Sequence, residues 1–104
     1  LIEVNKNNFE EEVLKADGLV MVDFWSPSCE PCKELMPSVH QLAEKYKGQA
    51  KFCSLDTAGN RRLSISQKVL GLPTIAFYRD GDKIAEITGE VAIEDVEAKL
   101  NELK

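Results

Sequence analysis

Hydrophobic and polar positions along this chain follow two periods, and their succession predicts an order of elements. Leu1 to Val4 reads as a short strand. Asn8-Phe9-Glu10-Glu11 reads as a helix start, because Asn8 can accept from unpaired amides and Glu11 completes a capping-box pattern. Phe9, Val13 and Leu14 give that helix an apolar stripe, and Asp17-Gly18 ends it. Leu19-Val20-Met21-Val22-Asp23-Phe24-Trp25 is almost continuously apolar, which suits a central strand covered on both faces. Ser26-Pro27-Ser28 breaks the run. Leu35, Met36, Val39, Leu42, Ala43 and Tyr46 then fall on helical spacing, with a kink expected at Pro37 and an end at Lys47-Gly48.

Ala50 to Leu55 predicts another strand, and Asp56 to Gln67 a loop with a polar, arginine-containing helix. Gly71-Leu72-Pro73 signals a turn. Thr74 to Tyr78 and Lys83 to Thr88 are strands joined by Arg79-Asp80-Gly81-Asp82, a hairpin with Asp-Gly at its tip. Ile93, Val96, Leu100 and Leu103 mark a last amphipathic helix. The order β-α-β-α-β-α-β-β-α predicts parallel pairing first and an antiparallel edge from the hairpin. The expected fold class is α/β: a three-layer sandwich with a central mixed sheet, formed by one domain over residues 1–104 without a linker or repeat.

Composition narrows the function. A chain of 104 residues, 43% hydrophobic, can close one ordinary core. Its net charge of -5 repels phosphate, so nucleic acid and anionic membranes are poor partners. Leu19 to Val22 and Ile75 to Tyr78 are too short to span a bilayer. Leu1 to Asn5 lacks the basic start and apolar run of a secretory leader, so a cytoplasmic location is the expectation; a single copy is the default for a chain this small.

The three cysteines are too few, and odd in number, for a disulfide-stapled scaffold. Cys29-Glu30-Pro31-Cys32 lies between the buried strand and the long helix. Cys29 therefore sits where unpaired amides and the helix dipole favour an anion, and a thiolate there is stabilised. Cys32, one turn further in, can resolve a mixed disulfide. Pro31 opens the helix without losing a hydrogen bond. Asp23 is a carboxylate inside an apolar run; burial raises its pKa towards neutrality, where it can take and return a proton. Pro73 follows Gly-Leu, a setting in which a cis peptide is possible.

Other roles for these residues are less economical. A zinc half-site at Cys29 and Cys32 would need two more ligands, and Cys53 lies on a predicted strand while His40 is over two turns along the helix. No metal is expected. Cys53 reads as a small apolar core residue. Glu10-Glu11-Glu12 reads as a solvated helix face, and Arg61-Arg62 as an exposed pair able to steer an acidic partner.

Val22-Asp23-Phe24-Trp25-Ser26-Pro27-Ser28-Cys29-Glu30-Pro31-Cys32-Lys33 resembles the active-site segment of thioredoxins, usually V-D-F-W-A-x-W-C-G-P-C-K. The likeness covers nearly the whole chain, through Pro37, Gly71-Leu72-Pro73-Thr74, the Arg79-Asp80-Gly81 hairpin and Gly89. It implies the thioredoxin fold and reduction of protein disulfides. Cys29 would attack, Cys32 would resolve, and Asp23 would assist proton transfer at Cys32. Pro73 would be a cis-proline facing the disulfide, and Trp25, Pro31, Thr74 and Gly89 would shape the docking surface. The implied partners are disulfide-containing proteins and a thioredoxin reductase, a flavoprotein. No bound cofactor is implied, since the dithiol carries the electrons.

Departures from that pattern fall at Ser28, which replaces a tryptophan, and Glu30, which replaces glycine; with Lys33 they are expected to tune the site. Thioredoxins usually carry a buried lysine four residues before the terminal Asp of the middle strand. Counting back from Asp56 gives Phe52, and Lys51 should face the other way. Asp23 is therefore expected to lack its usual cation. Glu30, with Lys33-Glu34-Leu35-Met36-Pro37 and Arg61-Arg62-Leu63, also resembles thioredoxins that serve amino-acid reductases in fermenting anaerobes, so a dedicated donor is one alternative. A binding module with dispensable cysteines is another. The charge of Glu30 opposes the Cys29 thiolate, so Glu30→Gly is expected to lower the thiol pKa of Cys29. Titration of thiolate absorbance in both proteins checks this, and an equal or higher value in the variant would contradict it.

Overall fold

The computed structural model describes all residues, Leu1–Lys104. Five strands are formed: β1 (Ile2–Val4), β2 (Leu19–Trp25), β3 (Lys51–Asp56), β4 (Thr74–Arg79) and β5 (Asp82–Thr88). The helices are α1 (Glu30–Lys45), α2 (Arg61–Ser66) and α3 (Ile93–Leu103). The sheet order is β1-β3-β2-β4-β5. β1, β3 and β2 run parallel, whereas β4 pairs antiparallel with both β2 and β5. This is the mixed sheet expected from the element order.

Alternation along β2 divides the core between two faces. Val20, Val22 and Phe24 join Phe9, Val13, Cys53, Leu55 and Tyr78 on one face, with Leu63 of α2 packed against them. Leu19 and Met21 join Val39 and Leu42 of α1 and Val96 and Leu100 of α3 on the other. Three layers result because the apolar run of β2 can be shielded from water only by elements on both sides. Each fully buried Val, Leu or Phe contributes about 1.5–3 kcal/mol relative to exposure. The strand that precedes the cysteines is thus the most firmly placed part of the chain.

The N-terminal helix is shorter than its pattern suggests. One wide turn forms at Glu10–Leu14, closed by the Lys15 N–H on the Glu10 carbonyl at 2.8 Å. The expected capping box does not form. The Asn8 side-chain oxygen instead accepts from the Asn5 N–H at 2.7 Å, so a local turn captures the capping group. The arginine-containing helix is also brief, six residues after a single turn at Thr57–Gly59. It ends at Ser66, and just beyond it Lys68 adopts φ +63. There the Lys68 N–H reaches the Ile65 carbonyl and the Val69 N–H the Ser64 carbonyl, a left-handed helix stop. Pro37 lies on the exposed side of α1, which continues as one helix to Lys45.

The β4–β5 hairpin turns on Asp80 (φ +54) and Gly81 (φ +85), the two left-handed residues that a tight primed turn requires. A Cβ at Gly81 would lie 3.3 Å from the Leu14 carbonyl oxygen. Gly81→Ala therefore combines an unfavourable φ with a close approach, and is expected to cost about 1–2 kcal/mol. Urea denaturation of both proteins measures this; an unchanged midpoint would remove the turn from the list of constraints on the hairpin.

Candidate active site

The chain leaves β2 at Trp25 and enters α1 at Glu30, and this short connection carries the sulfur chemistry. Cys29 is the residue that caps α1. Its backbone is extended, and its sulfur accepts the Cys32 N–H at 3.2 Å. The first turn of a helix has amides with no internal acceptor, and a sulfur placed there answers one of them. Cys29 and Cys32 are joined as a disulfide, with Cα atoms 5.3 Å apart. Cys29 is half-buried and Cys32 is buried, so of the two residues only the first is open to solvent. Pro31 stands at the opening of α1 and is exposed.

Asp23 sits at the middle of the sheet, opposite Ser54 of β3 and Ile75 of β4. By alternation it shares the face of Leu19 and Met21, beneath the helix that carries Cys32. It is 1% exposed, and neither carboxylate oxygen has a hydrogen-bond partner. Burial alone pushes its carboxyl up from 3.8 to about 7. Phe52 is buried among apolar neighbours on this same face. Lys51 points to the opposite face, where its ammonium meets Glu12 at 2.9 Å. No cation perturbs Asp23, and the position on its own face of β3 that precedes Ser54 holds Phe52.

Pro73 follows Leu72 through a cis peptide bond and is buried. Pro31, Leu72, Pro73 and Gly89 line one groove of about 600 Å³. Glu34, Glu90 and Asp95 also line it. No local pattern marked these three, because α1, the β5–α3 connection and α3 come together only in the folded chain. Thr74 is placed differently from Pro31, Pro73 and Gly89. Its hydroxyl is held by the Gly71 carbonyl at 2.7 Å and by Thr88 at 2.8 Å, inside the sheet. Trp25 lies in another hollow, with Lys33, Met36, Pro37, His40 and Ser54. Ser28 is exposed and contacts Ser26 through their hydroxyls at 3.3 Å. Glu30 and Lys33 form an exposed ion pair at 3.1 Å, so part of the Glu30 charge is offset within one helical turn. Cys53 is buried in β3, where burial pushes its thiol up to about 11. No three His, Cys, Asp or Glu side chains are grouped to hold a metal ion.

A cysteine pair at a helix start, with a buried carboxylate under that helix and a cis-proline in the groove that Pro31 also lines, is the arrangement of a dithiol–disulfide oxidoreductase. A family model described as Thioredoxin matches residues 1–102. The chain is 54% identical over 92 residues to the thioredoxin of Acetoanaerobium sticklandii, covering 88% of each. It is 48% identical over 101 residues to that of Peptoclostridium acidaminophilum, covering 96% of this chain and 92% of the relative. The thioredoxin sequence of Tissierella creatinophila is 73% identical over 44 residues, all of that sequence and 42% of this chain. The chain belongs to the thioredoxin family, and its substrates are disulfides.

The raised pKa of Asp23 has a direction in stability. Unfolding returns the group to its ordinary acidity, so between about pH 4 and about pH 7 the folded state holds more protons than the unfolded state. The associated stability is fully present below that window and is lost as pH rises through it. Three pH units correspond to on the order of 4 kcal/mol. Asp23→Asn removes this titration, so its unfolding free energy is expected to fall less than that of the parent from pH 5 to pH 8. Urea melts across that range decide the matter, and parallel curves would contradict burial as the cause.

Proposed function

We propose that Cys29 is the attacking sulfur, Cys32 the resolving one and Asp23 the proton acceptor for Cys32. The observation that carries this reading is the graded exposure of the pair: Cys29 reachable, Cys32 shielded, and an unpartnered carboxylate under the same helix. In the reduced protein the Cys29 thiolate attacks one sulfur of a substrate disulfide. A Cys29–substrate bond forms, the substrate's own disulfide breaks, and its second sulfur leaves as a thiolate. Cys32 gives its proton to the Asp23 carboxylate and attacks the Cys29 sulfur. The Cys29–substrate bond breaks, the Cys29–Cys32 bond forms, and two electrons have passed to the substrate. A carboxyl poised near neutrality suits this step, because it accepts the proton and returns it in the reverse direction.

Pro31, Pro73 and Gly89 form the docking groove for the substrate segment, supported by their common cavity beside the disulfide. Thr74, held in the sheet next to Pro73, supports that surface from behind, and Trp25 borders the neighbouring hollow with Lys33. Ser28, Glu30 and Lys33 tune the approach to Cys29. The oxidised pair is returned to the dithiol by a reductase, a flavoprotein in this reading, in the cytoplasm. The domain acts as a single unit over residues 1–104, needs no bound cofactor, and works as one copy.

Cys29→Ser is expected to abolish reduction of a protein disulfide while leaving substrate binding measurable. Cys32→Ser is expected to accumulate a covalent Cys29–substrate adduct, visible by mass spectrometry and released by dithiothreitol. Unchanged turnover of Cys29→Ser would favour a binding module with dispensable cysteines.

A further inference from the structure

Two hollows adjoin the connection that carries the cysteines, one lined by Pro31 and the other by Ser28, and their charged linings are of opposite sign. The first is the groove of Pro31 and Pro73, walled by Glu34, Glu90 and Asp95. None of these three carboxylates takes part in any of the ion pairs of the molecule. Asp95 lies in the first turn of α3, where the helix dipole favours it. Glu34 and Glu90 have no such structural reason to be there. The second hollow, about 280 Å³, lies between Ser28 of the active-site connection and Arg61 of α2. Ile65 and Leu70 line it, although they are 59% and 90% exposed. The Arg61 guanidinium is exposed and has no carboxylate partner.

Leu72 lines both hollows, so they meet at the cis-proline turn. A segment whose cysteine reaches Cys29 has one flank over each. Exposed apolar side chains gathered in one hollow mark a candidate contact surface. Unpaired charges of opposite sign on its two sides select a complementary arrangement in what docks.

We propose that this site selects partner disulfides whose flanks are polarised: a lysine or arginine on one side of the attacked cysteine, and an apolar residue next to a carboxylate on the other. The cation enters the groove of Glu34 and Glu90. The apolar residue covers Leu70 and Ile65, filling the hollow beside Ser28, and its neighbouring carboxylate pairs with Arg61. The proposal rests on the disulfide-exchange reading and adds an orientation to it.

Four short peptides test it, each with a central cysteine held as a mixed disulfide with thionitrobenzoate. One carries lysine before the cysteine and leucine–glutamate after it, one has that order reversed, one is neutral, and one has lysine on both sides. Stopped-flow release of thionitrobenzoate by the reduced protein gives the rates. One of the two polarised peptides is expected to react about fivefold to tenfold faster than the neutral one at low ionic strength, an advantage that shrinks in about 0.5 M salt. It should also outrun the doubly basic peptide, whose attraction comes only from the net negative charge. Arg61→Glu is expected to make the doubly basic peptide the fastest, and Glu34→Gln with Glu90→Gln to remove the polarised advantage. Equal rates for neutral and polarised peptides, or a doubly basic peptide fastest on the unaltered protein, would overturn the proposal. Reaction of the neutral peptide separates these outcomes from a failure of disulfide exchange itself, in which no peptide reacts.

Discussion

The burial of β2 on both faces is the constraint from which the site follows. Its side chains are shared between two apolar clusters, and its backbone is shared between β3 and β4. A strand held in this way has no freedom of register, because a shift by one residue would exchange its two faces. The connection that follows it must therefore start at a fixed point. Cys29 is four residues beyond Trp25, close enough to the anchored end for its sulfur to be set against the first amides of α1. The partner of the Cys29 sulfur is a backbone amide of α1.

The same constraint makes the carboxylate useful. Asp23 occupies a position where the sheet offers no donor and the surroundings are apolar. In such a place an ionised carboxylate is costly, and the group shifts towards its neutral form. A cation nearby would favour the charged form; Phe52 leaves that contribution out, and Lys51 spends its charge on Glu12 across the sheet. Desolvation is then the single cause of the shift. The molecule gives up stability at neutral and alkaline pH by holding this carboxylate under α1, a local conflict of the kind expected at functional sites.

What could be read from the chain followed the range of the forces involved. The hairpin was legible because Asp80-Gly81 meets a purely local requirement for positive φ. β2 was legible because a continuous apolar run has few other destinations, and the cysteine pair because its place between strand and helix carries the chemistry. The capping box was misleading: Asn8 had a nearer donor in Asn5, a competition that a spacing pattern cannot rank. The stop of α2 was hidden because a lysine, not a glycine, takes the left-handed position. The positions of Trp25 and Thr74 away from the groove, and the carboxylates that line it, depend on how distant segments meet. Such arrangements have no local signature.

The third sulfur has a consequence of its own. Cys53 lies between β1 and β2 in the middle of the sheet, fully covered and held as a neutral thiol. Nucleophilic attack requires both access and a thiolate, and it has neither. An oxidising challenge to the folded molecule is thus met by an even number of sulfurs, which close a small ring within one chain. With the odd sulfur hidden, no reactive end is left over to rivet neighbouring copies into a covalent polymer, and each cycle returns a carrier ready for reuse.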